Sequence, residues 1–200
     1  IVGKGALLGD RATMIYSQDD RVFMRSLATR GRAGGLAGET KRWLKNLKRG
    51  GFDVIFVETV GIGQEAMPFT GRLVDKTVLV MSPEYGARLQ LQKIAMLDLA
   101  DIVVINKSDM AGARTASAEV EQRIAMNKRK QKLLTTCAKR HQDAGVDELL
   151  LEGVEAAKGG VDVFRELAGG RAAGVRLHQR PEEQVVPMAA AVVAHRAADG

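Results

Sequence analysis

Val54–Gln64 reads V-I-F-V-E-T-V-G-I-G-Q, and the fold turns on it. Val54-Ile55-Phe56-Val57 is an uninterrupted apolar run of β-branched and aromatic residues, which suits a strand buried on both faces. The run stops at Glu58, where a strand would leave its sheet. Gly61 and Gly63 follow, so the backbone can turn sharply and come close to a ligand. Open α/β sheets bind ligands beyond the carboxyl ends of parallel strands, which makes Glu58 a candidate ligand of a metal or its water. The same residues also fit a strand, a solvated acid and a turn, so the rest of the chain has to choose.

Around this stretch, short apolar strands alternate with helical patterns. Leu36, Trp43, Leu44 and Leu47 leave a charged opposite face over 36–49, an amphipathic helix closed by Gly50-Gly51. Thr77–Met81 reads as a second strand, followed by a helical stripe over Arg88–Leu99. Ile102–Ile105 is a third, fully apolar strand, and Leu133–Ala138 a less apolar fourth. Arg114–Lys132 has helical composition, and Gly145 and Asp147 open a helix that runs through Val154. Repeated β-α crossovers predict an α/β fold with a mainly parallel sheet flanked by helices. Met14–Arg30, leading into Gly31, Gly34 and Gly35, reads as a mobile loop. Gly169–Pro187 reads as a linker, and Met188–Arg196 as the start of another helix.

Two hundred residues with 46% hydrophobic content suit one globular domain, with or without an appendage, and 4% aromatic residues require an aliphatic core. No apolar run reaches the roughly 18–20 residues of a membrane helix. The net charge of +6 invites a nucleic-acid reading. However, the basic residues are spread over 21–30, 41–49 and 128–132 with no aromatic platform among them, which argues for solvated helix faces. A basic chain also favours polyphosphate ligands. Cys137 is the single cysteine, which excludes an internal disulfide and fits a reducing cytoplasm. The chain opens on Ile1 inside a Gly-rich run and reads as a piece of something longer.

The chemistry concentrates after the third strand, in Asn106-Lys107-Ser108-Asp109. In an N-K-x-D tetrad at the end of a buried parallel strand, the aspartate can accept both the ring N–H and the exocyclic amine of guanine. Adenine offers no such pair. The stem of Lys107 can lie across the base, and Asn106 can tie neighbouring loops together. The next strand supplies Thr136-Cys137-Ala138, where a base-contacting loop is expected, although Cys137 also suits a small buried core thiol. Upstream, Asp10 beside Gly9 is a further candidate carboxylate, though turn aspartates are common.

G-A-L-L-G-D-R, E-T-V-G-I-G-Q and N-K-S-D resemble the GTPase chaperones of adenosylcobalamin-dependent acyl-CoA mutases, the methylmalonyl-CoA mutase-associated GTPases among them. Arg21–Arg30, Val80–Asp101 and Asp143–Leu149 are more similar still to the G-protein domain of fused isobutyryl-CoA mutases. The likeness covers about residues 3–151. It implies a P-loop NTPase-like sheet, with Asp10 and Glu58 on Mg²⁺ or its waters and acting in catalysis. Gly61 would lie near the γ-phosphate of GTP. Asn106, Lys107, Asp109, Thr136, Cys137 and Ala138 would hold the nucleotide, GTP or GDP. Switch segments would include Arg25, Thr29, Gly63 and Gln64.

The resemblance further implies a partial GTPase domain over 1–158 and a linker over 159–200 toward a mutase domain. Adenosylcobalamin would be bound by other domains, in cis or in trans, and the full-length form would be a homodimer. No nucleic acid or membrane is expected. GTP turnover would gate cofactor loading for isobutyryl-CoA/n-butyryl-CoA isomerisation. A standalone mutase-associated GTPase and a non-catalytic docking module are the alternatives.

The chain departs from the family pattern in having no G-x-x-x-x-G-K-[ST] and no D-x-H-x-x-G, and in placing Ser108 where an aromatic residue is expected. The expected phosphate-loop strand and its loop would precede Ile1 and lie beside the Val54 strand. Without them the 200 residues are expected to bind nucleotide weakly and to be marginally stable.

Overall fold

The computed structural model describes residues 19–28, 36–52, 54–58, 73–86, 96–155 and 190–195. The chain divides into two compact units, one of residues 1–73 with 182–200 and the other of residues 74–181. Strands β1 (Val22–Leu27), β2 (Val54–Glu58) and β6 (Ala190–His195) belong to the first, with helix α1 (Thr40–Arg49). The second holds β3 (Val78–Met81), α2 (Pro83–Gly86), β4 (Ile102–Ile105), α3 (Ala113–Ala125), β5 (Lys132–Thr135) and α4 (Ala144–Glu155).

The second unit is the parallel α/β sheet that the alternation of strands and helices predicts. Its order is β3-β4-β5, with Met81 opposite Ile105 and Ile105 opposite Thr135 at the carboxyl end. All four residues of β4 are buried, because both faces are covered. Val103 and Ile105 pack with Met81, Leu97, Ala100 and Val120 of α3. Ile102 and Val104 pack with Leu134 and with Leu149 of α4. Burying each such side chain contributes about 1.5–3 kcal/mol, so the I-V-V-I strand anchors this unit. α3 presents Ala113, Ala116 and Val120 to the core at helical spacing.

The amino-terminal edge of the sheet is tied separately. Asp101 accepts hydrogen bonds from the Thr77 amide and hydroxyl, both at 2.8 Å, and pairs with Arg129. Burial raises the Asp101 pKa, but the Thr77 bonds and Arg129 together outweigh it and hold the carboxyl below its ordinary value. Gln131 donates to the carbonyls of Leu97 and Ala100, satisfying the end of the helical turn at 96–99. This carboxylate is structural, far along the strands from the end that carries the N-K-x-D tetrad.

The first unit departs from expectation in three places. Val54–Glu58, read as a strand buried on both faces of a mainly parallel sheet, pairs antiparallel with β6 and leaves Phe56 45% exposed. Residues 22–27, read as part of a mobile loop, form strand β1, and 190–195, read as the start of a helix, form strand β6. β6 lies between β1 and β2 and runs antiparallel to both, pairing Leu27 with Ala190 and Glu58 with Ala191. The reason is that pairing, not local propensity, decides a strand here: Ala190–His195 finds two partners well over a hundred residues away. Beneath β1, Leu27, Ala37 and Leu47 form a small core with Phe23, Trp43, Phe52 and Ile55 around it. Phe23 stacks on Trp43 at 5.7 Å between ring centroids. Helix α1 ends as its glycines require. Gly51 takes φ 73°, a conformation that costs glycine nothing, and its amide closes onto the Lys48 carbonyl.

Candidate guanine-base site

Residues 106–110 and 136–140 leave neighbouring parallel strands side by side, and the tetrad is pinned between them. The Asn106 amide donates to the Met81 carbonyl at 2.8 Å, the Ser108 amide to the Thr136 carbonyl at 3.0 Å, and the Thr136 amide to the Ile105 carbonyl at 2.9 Å. Asn106 is buried, and its Oδ1 accepts from the Thr136 hydroxyl at 3.0 Å and the Ala138 amide at 3.1 Å. One side chain thus fastens the two loops together. Ser82, level with Asn106 at the end of β3, is buried in the same row, its Oγ without a hydrogen-bond partner among the described residues.

Lys107 sits at φ 58°, in the left-handed region that a long side chain rarely occupies. Such a conformation costs about 1–3 kcal/mol and persists where the surroundings over-determine it. The bonds from Asn106 and Ser108 on either side do so, and the chain is thereby turned to bring Asp109 out beside Cys137 and Lys139.

Asp109 Oδ1 accepts the Cys137 thiol at 3.1 Å, and Oδ2 pairs with the Lys139 ammonium. Lys139 first, and Cys137 after it, hold the carboxyl down to about 2, so Asp109 is an anion throughout the physiological range. Two acceptor oxygens on one ionised carboxylate at the carboxyl end of a parallel strand can receive two adjacent N–H donors from a planar edge. Cys137 is fully buried, and burial, then Asp109, push its thiol pKa up. It is therefore a proton donor to Asp109 and a poor nucleophile. Alkylation with iodoacetamide at neutral pH is expected to leave Cys137 unmodified in the folded chain and to modify it in denaturant. Rapid native labelling, followed by mass spectrometry, would contradict this arrangement.

The structure brings Asn106, Lys107, Asp109, Thr136, Cys137 and Ala138 together on one edge of one sheet. Glu58 and Arg25 belong to the other unit. Glu58 is exposed at the carboxyl end of β2, and Arg25 lies over the Trp43 ring, 5.3 Å from its centroid. Asp10, Thr29, Gly61, Gly63 and Gln64 lie outside the described residues. Among the described residues no cluster of three acidic, His or Cys side chains could enclose a metal. Mg²⁺ does not need one, since it binds through one or two carboxylates, phosphate oxygens and retained waters. An exposed carboxylate at a strand end, as Glu58 is, suits that role.

Sequence reasoning missed Lys139, and read Gly145 only as the opening of a helix. Lys139 directly follows Thr136-Cys137-Ala138, and its charge next to a base-contacting loop was the available signal. Gly145 sits in the first turn of α4 against β5, where an added Cβ would lie 1.9 Å from the Thr135 carbonyl oxygen. Only glycine lets this helix approach the strand that carries the second loop.

Comparison with known proteins gives these features a lineage. The family described as "Methylmalonyl Co-A mutase-associated GTPase MeaB" matches residues 2–197. The fused isobutyryl-CoA mutase of Paraburkholderia xenovorans is 40% identical over 168 residues, covering 77% of this chain and 13% of that protein. The fused isobutyryl-CoA mutase of Geobacillus kaustophilus is 42% identical over 118 residues, 59% of this chain and 11% of that protein. The mouse protein named "Methylmalonic aciduria type A homolog, mitochondrial" is 35% identical over 133 residues, 64% of this chain and 32% of that protein. The chain therefore spans about an eighth of the fused mutases it matches and about a third of the mouse relative. With a family match that runs almost from end to end, and with an α/β parallel sheet ending in N-K-S-D, the chain belongs to the MeaB family of methylmalonyl-CoA mutase-associated GTPases.

Proposed function

We propose that this chain recognises the guanine base of GTP and GDP through Asn106, Lys107 and Asp109, as part of a GTPase that serves an adenosylcobalamin-dependent acyl-CoA mutase. The observation that carries the reading is the ionised Asp109 carboxylate, presented beside Thr136–Ala138 by a tetrad that is hydrogen-bonded on both sides. Asn106 acts by holding the two loops, Lys107 by its stem over the base, and Asp109 by accepting the N1–H and exocyclic amine of guanine. Asp10 and Glu58 are assigned to Mg²⁺ or its waters, and Gly61 to the γ-phosphate. Bound there, the metal would neutralise charge as the terminal phosphate leaves.

Residues 1–158 are read as the GTPase part and 159–200 as the run toward a mutase domain, with 190–195 folded back onto β1 and β2. Arg25, Thr29, Gly63 and Gln64 are assigned to segments that report nucleotide state. The names of the fused relatives support a mutase domain in cis and isobutyryl-CoA as the substrate class of the whole protein. Cobalamin-binding domains, in cis or in trans, are part of the proposed reading. Gating of cofactor loading by GTP turnover, a homodimeric full-length form and a cytoplasmic setting complete the reading. No helix among the described residues is long and apolar enough to cross a membrane.

The neutral nucleosides guanosine and adenosine isolate the base half of the site from any phosphate contribution. In a titration followed by NMR, guanosine is expected to bind the chain more tightly than adenosine. Asp109→Ala is expected to erase the difference by a factor of about ten or more, since a missing acceptor for a charge-assisted bond costs about 1.5–3 kcal/mol. An Asp109→Ala chain that still prefers guanosine would refute the assignment.

A further inference from the structure

Asp109 is already occupied. Cys137 donates to Oδ1, Lys139 pairs with Oδ2, and this arrangement of one donor per oxygen is the one that guanine's N1–H and exocyclic amine present. The two internal donors differ in kind. Cys137 is fully buried at the root of its loop and comes to the carboxylate from the protein side. The Lys139 side chain is 72% exposed, against 22% for Asp109, and comes from the solvent side on a flexible four-carbon stem. A planar base edge that is to reach both oxygens has to arrive from that same open side. A carboxylate oxygen has two lone-pair sites, so Oδ1 can keep the thiol and still accept from the base. On Oδ2 the base and the ammonium compete for the solvent-facing approach.

Resting on the guanine reading above, we propose that Lys139 is an internal mimic of the guanine edge, which caps Asp109 in the empty site and is exchanged for the base on binding, while Cys137 stays and fixes the carboxylate's orientation. Lys139 is thus a specificity-setting residue that works by competition. A ligand must present two adjacent donors to displace it with gain; adenine, lacking that pair, leaves it in place. Since exposed ion pairs are weak and screened by salt, the exchange is shallow and ionic-strength dependent.

The test uses the 200-residue chain, with guanosine and adenosine as uncharged probes and the ¹³C carboxyl resonance of Asp109 and the Lys139 ammonium as reporters. Guanosine is expected to perturb both signals, and adenosine neither. Lys139→Met, which keeps the stem and removes the charge, is expected to raise guanosine affinity about two- to fivefold at low ionic strength. That gain is expected to vanish near 1 M salt, where the Debye length is about 3 Å. Weaker or unchanged guanosine binding by Lys139→Met at low salt would overturn the competition. An Asp109 signal that moves while the Lys139 ammonium does not would also overturn it, and would leave the guanine reading standing. An Asp109 signal that guanosine does not move would bring down both.

Discussion

Gly145→Ala is expected to destabilise the chain by about 3 kcal/mol, the large end of what overpacking costs, because the obstacle is backbone and not a side chain that can swing away. The new methyl would sit 1.9 Å from the Thr135 carbonyl oxygen and 3.0 Å from its carbon. Neither atom can retreat alone, since Thr135 ends a strand paired with Ile105 of β4. Either α4 lifts off β5, uncovering Ile102, Val104 and Leu134, or β5 shifts and carries Thr136, Cys137 and Ala138 with it. Alanine's better helix propensity returns only about 1 kcal/mol. Gly153 provides the control within the same helix, because a Cβ there meets nothing within 4 Å among the described residues. Gly153→Ala should therefore be neutral or stabilising. Urea midpoints for the two variants are expected to move in opposite directions. A Gly145→Ala chain as stable as the wild type would mean that α4 does not lie where the structure puts it.

Asn106→Ala is expected to cost about 2–4 kcal/mol, from two donors left without an acceptor at a buried position. The Thr136 hydroxyl and the Ala138 amide both end on Asn106 Oδ1, and Thr136 is fully buried. The amide of Ala138 cannot be removed by mutation, but the hydroxyl can. Asn106→Ala combined with Thr136→Val is therefore expected to be less destabilising than the sum of the two single changes, with a coupling of about 1 kcal/mol or more. The same substitution frees the second loop from the first, so guanosine preference should fall along with stability. Additive single effects in a double-mutant cycle, measured by denaturant unfolding, would show that Asn106 does not join the loops.

Part of this arrangement was legible in the residues. Val54–Glu58 and Ile102–Ile105 appear as strands with the boundaries their apolar runs mark, but only β4 is buried on both faces and leaves its unbroken apolar record for that reason, whereas β2 leaves Phe56 exposed. The helices at 40–49 and 144–155 follow their periodicity and their glycines, whereas the one read over 114–132 from its composition ends at Ala125, and Lys132 already opens β5. Residues 22–27 were misread because Arg25 and Ser26 break the apolar pattern, although in the structure Arg25 is an exposed strand residue stacked over Trp43. Residues 190–195 were misread because A-A-V-V-A-H suits a helix or a strand equally well in isolation, and its strand partners are remote in sequence.

What the sequence determined by itself is the parallel α/β order of residues 74–155 and the N-K-S-D tetrad at the end of its central strand. Both are local patterns, written in consecutive residues. What only the tertiary structure decided is the state of the site: Asn106 bound to Thr136 and Ala138, Asp109 held between Cys137 and Lys139, and Gly145 pressed on Thr135. Apart from the last, these contacts join residues about thirty positions apart. The crossover β4–α3–β5 brings them together, and no periodicity or propensity along the chain encodes which side chain meets which across that gap.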